Sequence, residues 1–374
     1  MLVYTSVTKS YIPKARVLAR SVKRFHPDWE FVVVLSDTFP EDFDPEQEPF
    51  DRILTIDNLN LPDWKSWAFG HTIVELCTAV KGPAAQIFAD DPAVKKIMYL
   101  DPDIKVFSTL SPLETLLDNH DILLTPHLLD TEEAIAAIQD NEISALKHGT
   151  YNLGFFCART SGQGLDFIRW WAHRLTHFCI DDIPNGLFTD QKWCDLAPCF
   201  FDRLHIIRDR GYNVATWNIS HRPLSRDTDG TLLAGSTPLR FYHFTGYDSG
   251  AGLGMLKKYA TDQTLAHEIW NGYLEDLNRE GHGHGVFRGW DYERYNDGSS
   301  ISEEARLIYR SREDLKKAFP DPYSLQEPCY KSWYAANNNS VHHPVPAAQD
   351  APFFYRIKPL RKLSKSIKKR LGKR

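Results

Sequence analysis

The run Phe31-Val-Val-Val-Leu35 is what most constrains this chain. Five consecutive apolar residues, three of them β-branched, suit a strand covered on both faces, because such a strand has no side to offer to water. A sheet with helices on both faces supplies that place. The residues before it agree. Leu2–Thr5 is a short apolar opening, Ser6–Ser10 is polar, and Ile12, Ala15, Leu18, Val22 and Phe25 then recur at helical spacing. Pro13 falls in the first turn, where a missing N–H costs nothing, and Pro27 stops the helix after His26. Strand, helix and strand in about 35 residues make the unit of a parallel sheet.

The pattern continues. Arg52–Ile56 is expected as a strand and Trp67–Val80 as a helix; Lys96–Leu100 and Ile104–Phe107 are expected as strands on either side of Asp101-Pro102-Asp103. Ile122–Thr125, Gly154–Ala158, Leu204–Ile207 and Leu239–His243 read as further strands. Ser161 is placed to cap a helix whose buried stripe is Leu165, Ile168, Trp171, Leu175 and Phe178. This alternation predicts an α/β fold over residues 1–250, an open, mostly parallel, Rossmann-like sheet flanked by helices, with ligands at the carboxyl ends of strands. Residues 251–334 read as a helical and irregular C-terminal extension, with helices over Met255–Leu277 and Ser302–Phe319 and irregular structure over 281–300. Residues 335–350 are a polar linker without periodicity, and 351–374 a basic amphipathic tail.

Charge separates these regions. Residues 351–374 hold ten Lys/Arg and no acid, so a net charge of −5 leaves −15 on the first 350. An acidic body argues against nucleic acid as a partner. In the tail, Leu360, Leu363, Ile367 and Leu371 recur at helical spacing among the basic residues, so residues 355–374 are expected to lie peripherally on an anionic membrane surface, with a disordered basic tail as the alternative. No stretch approaches the roughly 20 apolar residues that span a bilayer. Met1–Tyr4 reads as a strand rather than a secretory signal, and the six scattered cysteines form no Cys-x-x-Cys pair. The expectation is a cytoplasmic protein, peripheral on the inner face of the membrane if the tail binds there.

The chemistry is carried by Ile97-Met-Tyr-Leu-Asp101-Pro-Asp103. A buried strand delivers two carboxylates at its carboxyl end, and residues i and i+2 of an extended chain point the same way. Two such carboxylates repel unless a cation lies between them, and hard divalent cations prefer oxygen ligands. A nucleotide diphosphate has the complementary charge to share that cation.

A strand ending in Asp-x-Asp in an α/β domain resembles the GT-A glycosyltransferases, and an ordered series of segments over about residues 1–250 is similar to their family 8, the retaining group that includes glycogenin. The opening Tyr4–Val22 resembles the family's start, which implies that Thr5, Ser6 and Thr8 lie near the nucleotide. Tyr151-Asn152-Leu153-Gly154 looks like the family's Asn-x-Gly, implying donor contact by Asn152 and Gly154. Asp190-Gln191 is similar to the family's Asp-Gln pair, implying that Asp190 orients the donor sugar and Gln191 lies beside the anomeric carbon. Phe241-Tyr-His243-Phe-Thr-Gly246 resembles the family's His-x-x-Gly, implying that His243 joins Asp101 and Asp103 around Mn²⁺ (or Mg²⁺), with Gly246 near the donor. The family's Lys-Pro-Trp after that glycine is replaced by Tyr247-Asp248-Ser249, so another cation, Lys257 or Lys258, or backbone N–H groups, must meet the diphosphate. Lys81 is a further donor-phosphate candidate. Arg208–Ser220 is either a structured loop or a sugar-binding wall, and His282 and His284 read as a flexible loop rather than a metal tract.

The resemblance implies a retaining, hexosyltransferase-like enzyme of surface polysaccharide biosynthesis. It would move a sugar from a nucleotide diphosphate, a UDP-sugar, to a glycan or lipid-linked acceptor. Two rivals stand beside it. A sugar-1-phosphate nucleotidyltransferase would need a Gly-rich phosphate loop, and Thr5–Lys9 contains no glycine. A non-catalytic nucleotide-sugar-binding protein could share the fold.

Overall fold

A computed structural model describes residues 1–40, 43–283 and 287–337. The first seven strands are β1 (Leu2–Val7), β2 (Glu30–Leu35), β3 (Arg52–Thr55), β4 (Lys96–Leu100), β5 (Ile104–Val106), β6 (Ile122–Pro126) and β7 (Tyr151–Arg159). The main sheet has seven strands, and it runs from Leu204–Ile206 through β6, β7, β4, β1 and β2 to β3. All are parallel except β7, which is antiparallel to both β4 and β6. The α/β class and the mostly parallel sheet flanked by helices agree with the sequence reading.

The valine run behaves as its composition demands. Val32 and Val34 enter the core on one face with Tyr4, Tyr99 and Trp171. Phe31, Val33 and Leu35 enter the other with Val3, Met98 and Leu18. Helix α1 (Ile12–Phe25) buries Ile12, Ala15, Leu18 and Val22, as the spacing predicts.

Three expected helices are broken. Trp67–Val80 divides into α2 (Trp64–Phe69) and α3 (Ile73–Ala79). Thr72 and Glu75 form a reciprocal cap there, with Thr72 N–H donating to Glu75 Oε2 at 2.8 Å, so a new helix starts where periodicity alone runs on. Helix α4 (Lys81–Asp90) follows directly. Met255–Leu277 is two helices, Ala251–Tyr259 and Thr264–Arg279, and Ser302–Phe319 divides at Arg312 into Glu303–Ser311 and Glu313–Ala318. Ser161 does occupy the N-cap of helix Gly162–Phe178, but its side chain makes no capping bond; Asp121 Oδ2 takes the Gln163 N–H instead.

The C-terminal extension packs back on the sheet domain. Phe244 stacks on Tyr273 at 3.9 Å, and Arg306 donates to the carbonyls of Phe69 and His71. Trp290 Nε1 donates to Ser36 O at 2.9 Å, which lays this segment over the carboxyl end of β2. Helix Tyr330–Asn337 runs into the start of the expected linker. The rest of that linker, the basic tail and His284 lie outside the described residues. Among the described residues no helix is long and apolar enough to cross a membrane.

Candidate functional site

Asp101 stands where β4 ends, its N–H on Gly154 O at 2.8 Å. The chain turns at Pro102 and continues as β5, which pairs antiparallel with strand Phe241–His243. That pairing sets His243 opposite Ile104, and Phe244 N–H donates to Asp103 O at 2.8 Å. Two segments 140 residues apart thereby converge. His243 Nε2 lies 3.0 Å from Asp103 Oδ1 and 3.7 Å from Asp101 Oδ2, and one ligand atom from each of the three lies within 4.8 Å of the others.

Two carboxylates and one imidazole are a hard donor set with one nitrogen, suited to Mn²⁺ or Mg²⁺. Burial alone would raise the Asp103 carboxyl, but His243 beside it draws it down to about 2. Burial alone would hold His243 neutral, and Asp103 outweighs it and raises the imidazole. The site is therefore built for positive charge. Gly154 makes room for it: a Cβ there would stand 2.6 Å from His243 Cε1 and 2.8 Å from Asp101 Oδ2.

Behind the carboxylates lies a second layer. Lys81, at the start of α4, is 3% exposed, and its Nζ reaches Asp190 Oδ2 at 2.8 Å and Asp101 Oδ1 at 3.1 Å. Burial works against its charge, but the two carboxylates hold it protonated. Tyr99, on the same face of β4 as Asp101, donates its hydroxyl to Asp101 Oδ1 at 2.7 Å. Burial and Asp101 together keep that phenol protonated. Asp190 is aimed by Thr189, a β-branched residue at φ +42°, and by Trp171 Nε1 on the Asp190 carbonyl. A backbone conformation of that kind costs roughly 1–3 kcal/mol and persists where surrounding packing enforces it.

These groups open on one cavity of about 480 Å³. Asp101, Asp103, His243, Lys81, Asn152, Gly154, Asp190 and Gln191 all line it, so most of the residues singled out from sequence are brought together. Thr5, Ser6, Thr8 and Gly246 do not line it. Ser6 Oγ donates to Cys77 O at 2.5 Å, beneath the site, and Thr8 Oγ1 pairs with Ser10 Oγ at 2.8 Å. The buried Thr5 hydroxyl has no partner among the described residues. Gly246, at φ +69°, turns the chain into helix Ala251–Tyr259.

Several lining residues escaped the sequence reading. His127 follows the carboxyl end of β6, a place where ligands of parallel sheets gather, and that position was its one available signal. Asp140, Ser144 and His148 come from a segment with no motif. Trp217 did not escape it: the stretch Arg208–Ser220 was a candidate sugar-binding wall, and its Trp217 lines the cavity, while Asn218 is buried and braces His127 O at 3.1 Å.

Lys258 is exposed and tied to Asp140 at 2.6 Å, and Lys257 is exposed. In the glycine-rich turn, Ala251 N–H is taken by Ser249 Oγ and Gly252 N–H by Gly246 O. Lys14, by contrast, is 1% exposed, its charge acts on Asp103, and its Nζ is held by Asp248 Oδ2 at 2.5 Å.

No family model matches the chain. It is 27% identical over 210 residues to the uncharacterized protein YfnF of Bacillus subtilis, covering 54% of this chain and 68% of that one. It is 30% identical over 101 residues to the uncharacterized protein YfnD of the same organism, covering 26% of this chain and 32% of that one. Proteins of known structure that it resembles are glycosyltransferases. The galactosyltransferase LgtC, solved with donor and acceptor sugar analogs, is 17% identical, with 73% of this chain and 100% of that one covered and a TM-score of 0.40. Mouse xyloside xylosyltransferase 1 is 13% identical, with 65% and 97% covered and a TM-score of 0.39. GlyE of Streptococcus pneumoniae is 16% identical, with 93% and 65% covered and a TM-score of 0.37. These are likenesses of fold, and what the site can do follows from its own geometry.

Proposed function

We propose that this protein is a glycosyltransferase that takes a sugar from a nucleotide diphosphate, a UDP-sugar, and passes it to a glycan or lipid-linked acceptor with retention of configuration, in surface polysaccharide synthesis. The observation that carries the reading is the convergence of Asp101, Asp103 and His243 at the mouth of a cavity that also holds Asp190 and Gln191. Asp101, Asp103 and His243 would hold Mn²⁺ or Mg²⁺, which when bound supplies a Lewis acid toward the leaving diphosphate.

The chain's own residues do the positioning. Asp190, fixed by Lys81 and Thr189, presents a carboxylate for donor hydroxyls. Gln191, 8% exposed at the cavity wall, would set its amide beside the reacting carbon. Trp217 offers a ring face of the kind that sugars stack on. Lys14 would meet the diphosphate by exchanging Asp248 for phosphate oxygens, since an ammonium pairs with either anion.

The test is Mn²⁺-dependent thermal stabilisation across a panel of nucleotide sugars, wild type beside Asp103→Ala. A shift with one nucleotide sugar, absent in the variant, supports the reading and names the donor. No shift with any donor in the presence of metal sinks it. Slow metal-dependent hydrolysis of that donor would separate an enzyme from a non-catalytic binding protein.

A further inference from the structure

His243 is held from behind by a chain of polar groups that has only one consistent direction. Its Nδ1 lies 3.2 Å from Asn152 Oδ1, Asn152 Nδ2 lies 3.3 Å from His127 Nε2, and His127 Nδ1 lies 3.4 Å from Thr150 O. The Thr150 carbonyl can only accept, so His127 carries its proton on Nδ1 and leaves a lone pair on Nε2. That lone pair needs a donor, which the Asn152 amide nitrogen supplies. Asn152 Oδ1 then faces His243 and can only accept, which puts the His243 proton on Nδ1. Turning the Asn152 amide over would set the bare His127 Nδ1 against the Thr150 carbonyl, acceptor on acceptor.

The far end of this chain is rigid. The His127 N–H donates to Thr150 O at 3.0 Å, and His127 O accepts from both Trp217 Nε1 at 3.0 Å and Asn218 Nδ2 at 3.1 Å. The Trp217 ring stands edge-on to both imidazoles, its centroid 5.4 Å from each. His127 thus has a fixed backbone, a fixed ring and a fixed tautomer, although it touches neither carboxylate of the site.

We propose that His127 is a positioning residue: acting through Asn152, it fixes the Nδ1–H tautomer of His243, so that Nε2 is the nitrogen presented to a divalent cation beside Asp101 and Asp103. The inference rests on the metal-site reading above and adds the part that aims its nitrogen ligand. A ligating histidine whose other nitrogen is held by a hydrogen bond loses metal affinity when that hold is removed, typically 10–100-fold.

The experiment has two readouts. The first is the tautomer of His243 and His127 in the metal-free protein, from long-range ¹⁵N–¹H correlation spectra of histidine-labelled wild type and His127→Phe. The second is Mn²⁺ affinity by calorimetry for wild type, His127→Phe and His127→Gln. Wild type is expected to show Nδ1–H on both rings, with His243 also protonated on Nε2 toward Asp103 while no metal is bound. His127→Phe is expected to bind Mn²⁺ about 10–100-fold more weakly. His127→Gln, whose amide can still accept from Asn152 and donate to Thr150, is expected to restore most of that loss. A wild-type His243 protonated on Nε2 with Nδ1 bare overturns the proposal even if the phenylalanine variant does not fold. Unchanged Mn²⁺ affinity in a folded His127→Phe overturns it too. Failure of wild type to bind Mn²⁺ at all would instead overturn the metal-site reading, while the spectra still decide the tautomer.

Discussion

Gly154 and His243 are so close that a single methyl group on the first would lie 2.6 Å from Cε1 of the second. The same methyl would meet Asn152 Oδ1 and Asp101 Oδ2 at 2.8 Å each. Glycine is required here by the space in front of the strand rather than by its backbone angles. Gly154→Ala is therefore expected to displace the imidazole and a carboxylate together. Overpacking of this kind costs roughly 1–3 kcal/mol, or about 5–150-fold in Mn²⁺ affinity if it falls on the site. Calorimetric titration of the variant checks this, and affinity equal to wild type would refute it.

Lys81 joins Asp101 to Asp190 from the buried side. Removing one partner of a buried ion pair leaves the others uncompensated, at roughly 3–5 kcal/mol. Lys81→Met should lower stability by about that much in chemical denaturation and abolish donor-dependent stabilisation. A variant as stable as wild type would show that the two carboxylates find other partners.

Lys14 is expected to act chiefly on the donor, since its ammonium is held by Asp248 rather than by a carboxylate of the metal site. Losing a charged hydrogen bond costs about 1.5–3 kcal/mol, so Lys14→Met should weaken binding of the nucleotide diphosphate about 10–100-fold while Mn²⁺ affinity stays close to wild type. Parallel titrations with Mn²⁺ alone and with nucleotide plus Mn²⁺ make the comparison. Equal losses in both would place Lys14 in the support of the metal site instead.

His71 gives the fold a pH dependence. It is buried at the break between α2 and α3, donates Nδ1–H to Trp67 O at 2.8 Å, and its own carbonyl takes Arg306. Burial holds its pKa down from 6.5 to about 4. Between those values the unfolded chain binds a proton that the folded chain does not, so stability is whole above about pH 6.5 and falls as pH drops toward 4. The loss is on the order of 3 kcal/mol once both states are protonated. Urea unfolding at pH 7 and pH 5 should show a smaller drop for His71→Gln than for wild type, and identical drops would exclude His71 as the cause.

The sheet was legible because its signals are local. The valine run, the helical stripe of α1 and the strand before Asp101 each report their burial through neighbours in sequence. The broken helices were less legible, because the reciprocal cap of Thr72 and Glu75 competes with a periodicity that continues across it. Asp101, Asp103, Asn152, Gly154, Asp190, Gln191 and His243 were found through the order of short motifs. His127, Tyr99 and Lys14 were not, since a histidine after a strand, a tyrosine in one and a lysine on a helix carry no mark of their own.

What the sequence determined by itself is the α/β class, the strand that ends in two carboxylates, and the residue types from which a cation site can be made. What only the tertiary structure decided is which side chains share it. The pairing of β5 with Phe241–His243 carries His243 to Asp103, the burial of Lys81 joins Asp101 to Asp190, and the end of β6 sets His127 behind Asn152. The reason is physical: hydrophobic periodicity records whether a residue is buried, whereas a hydrogen bond or an ion pair depends on distances of about 3 Å between atoms far apart in the chain, and only the packed sheet sets those.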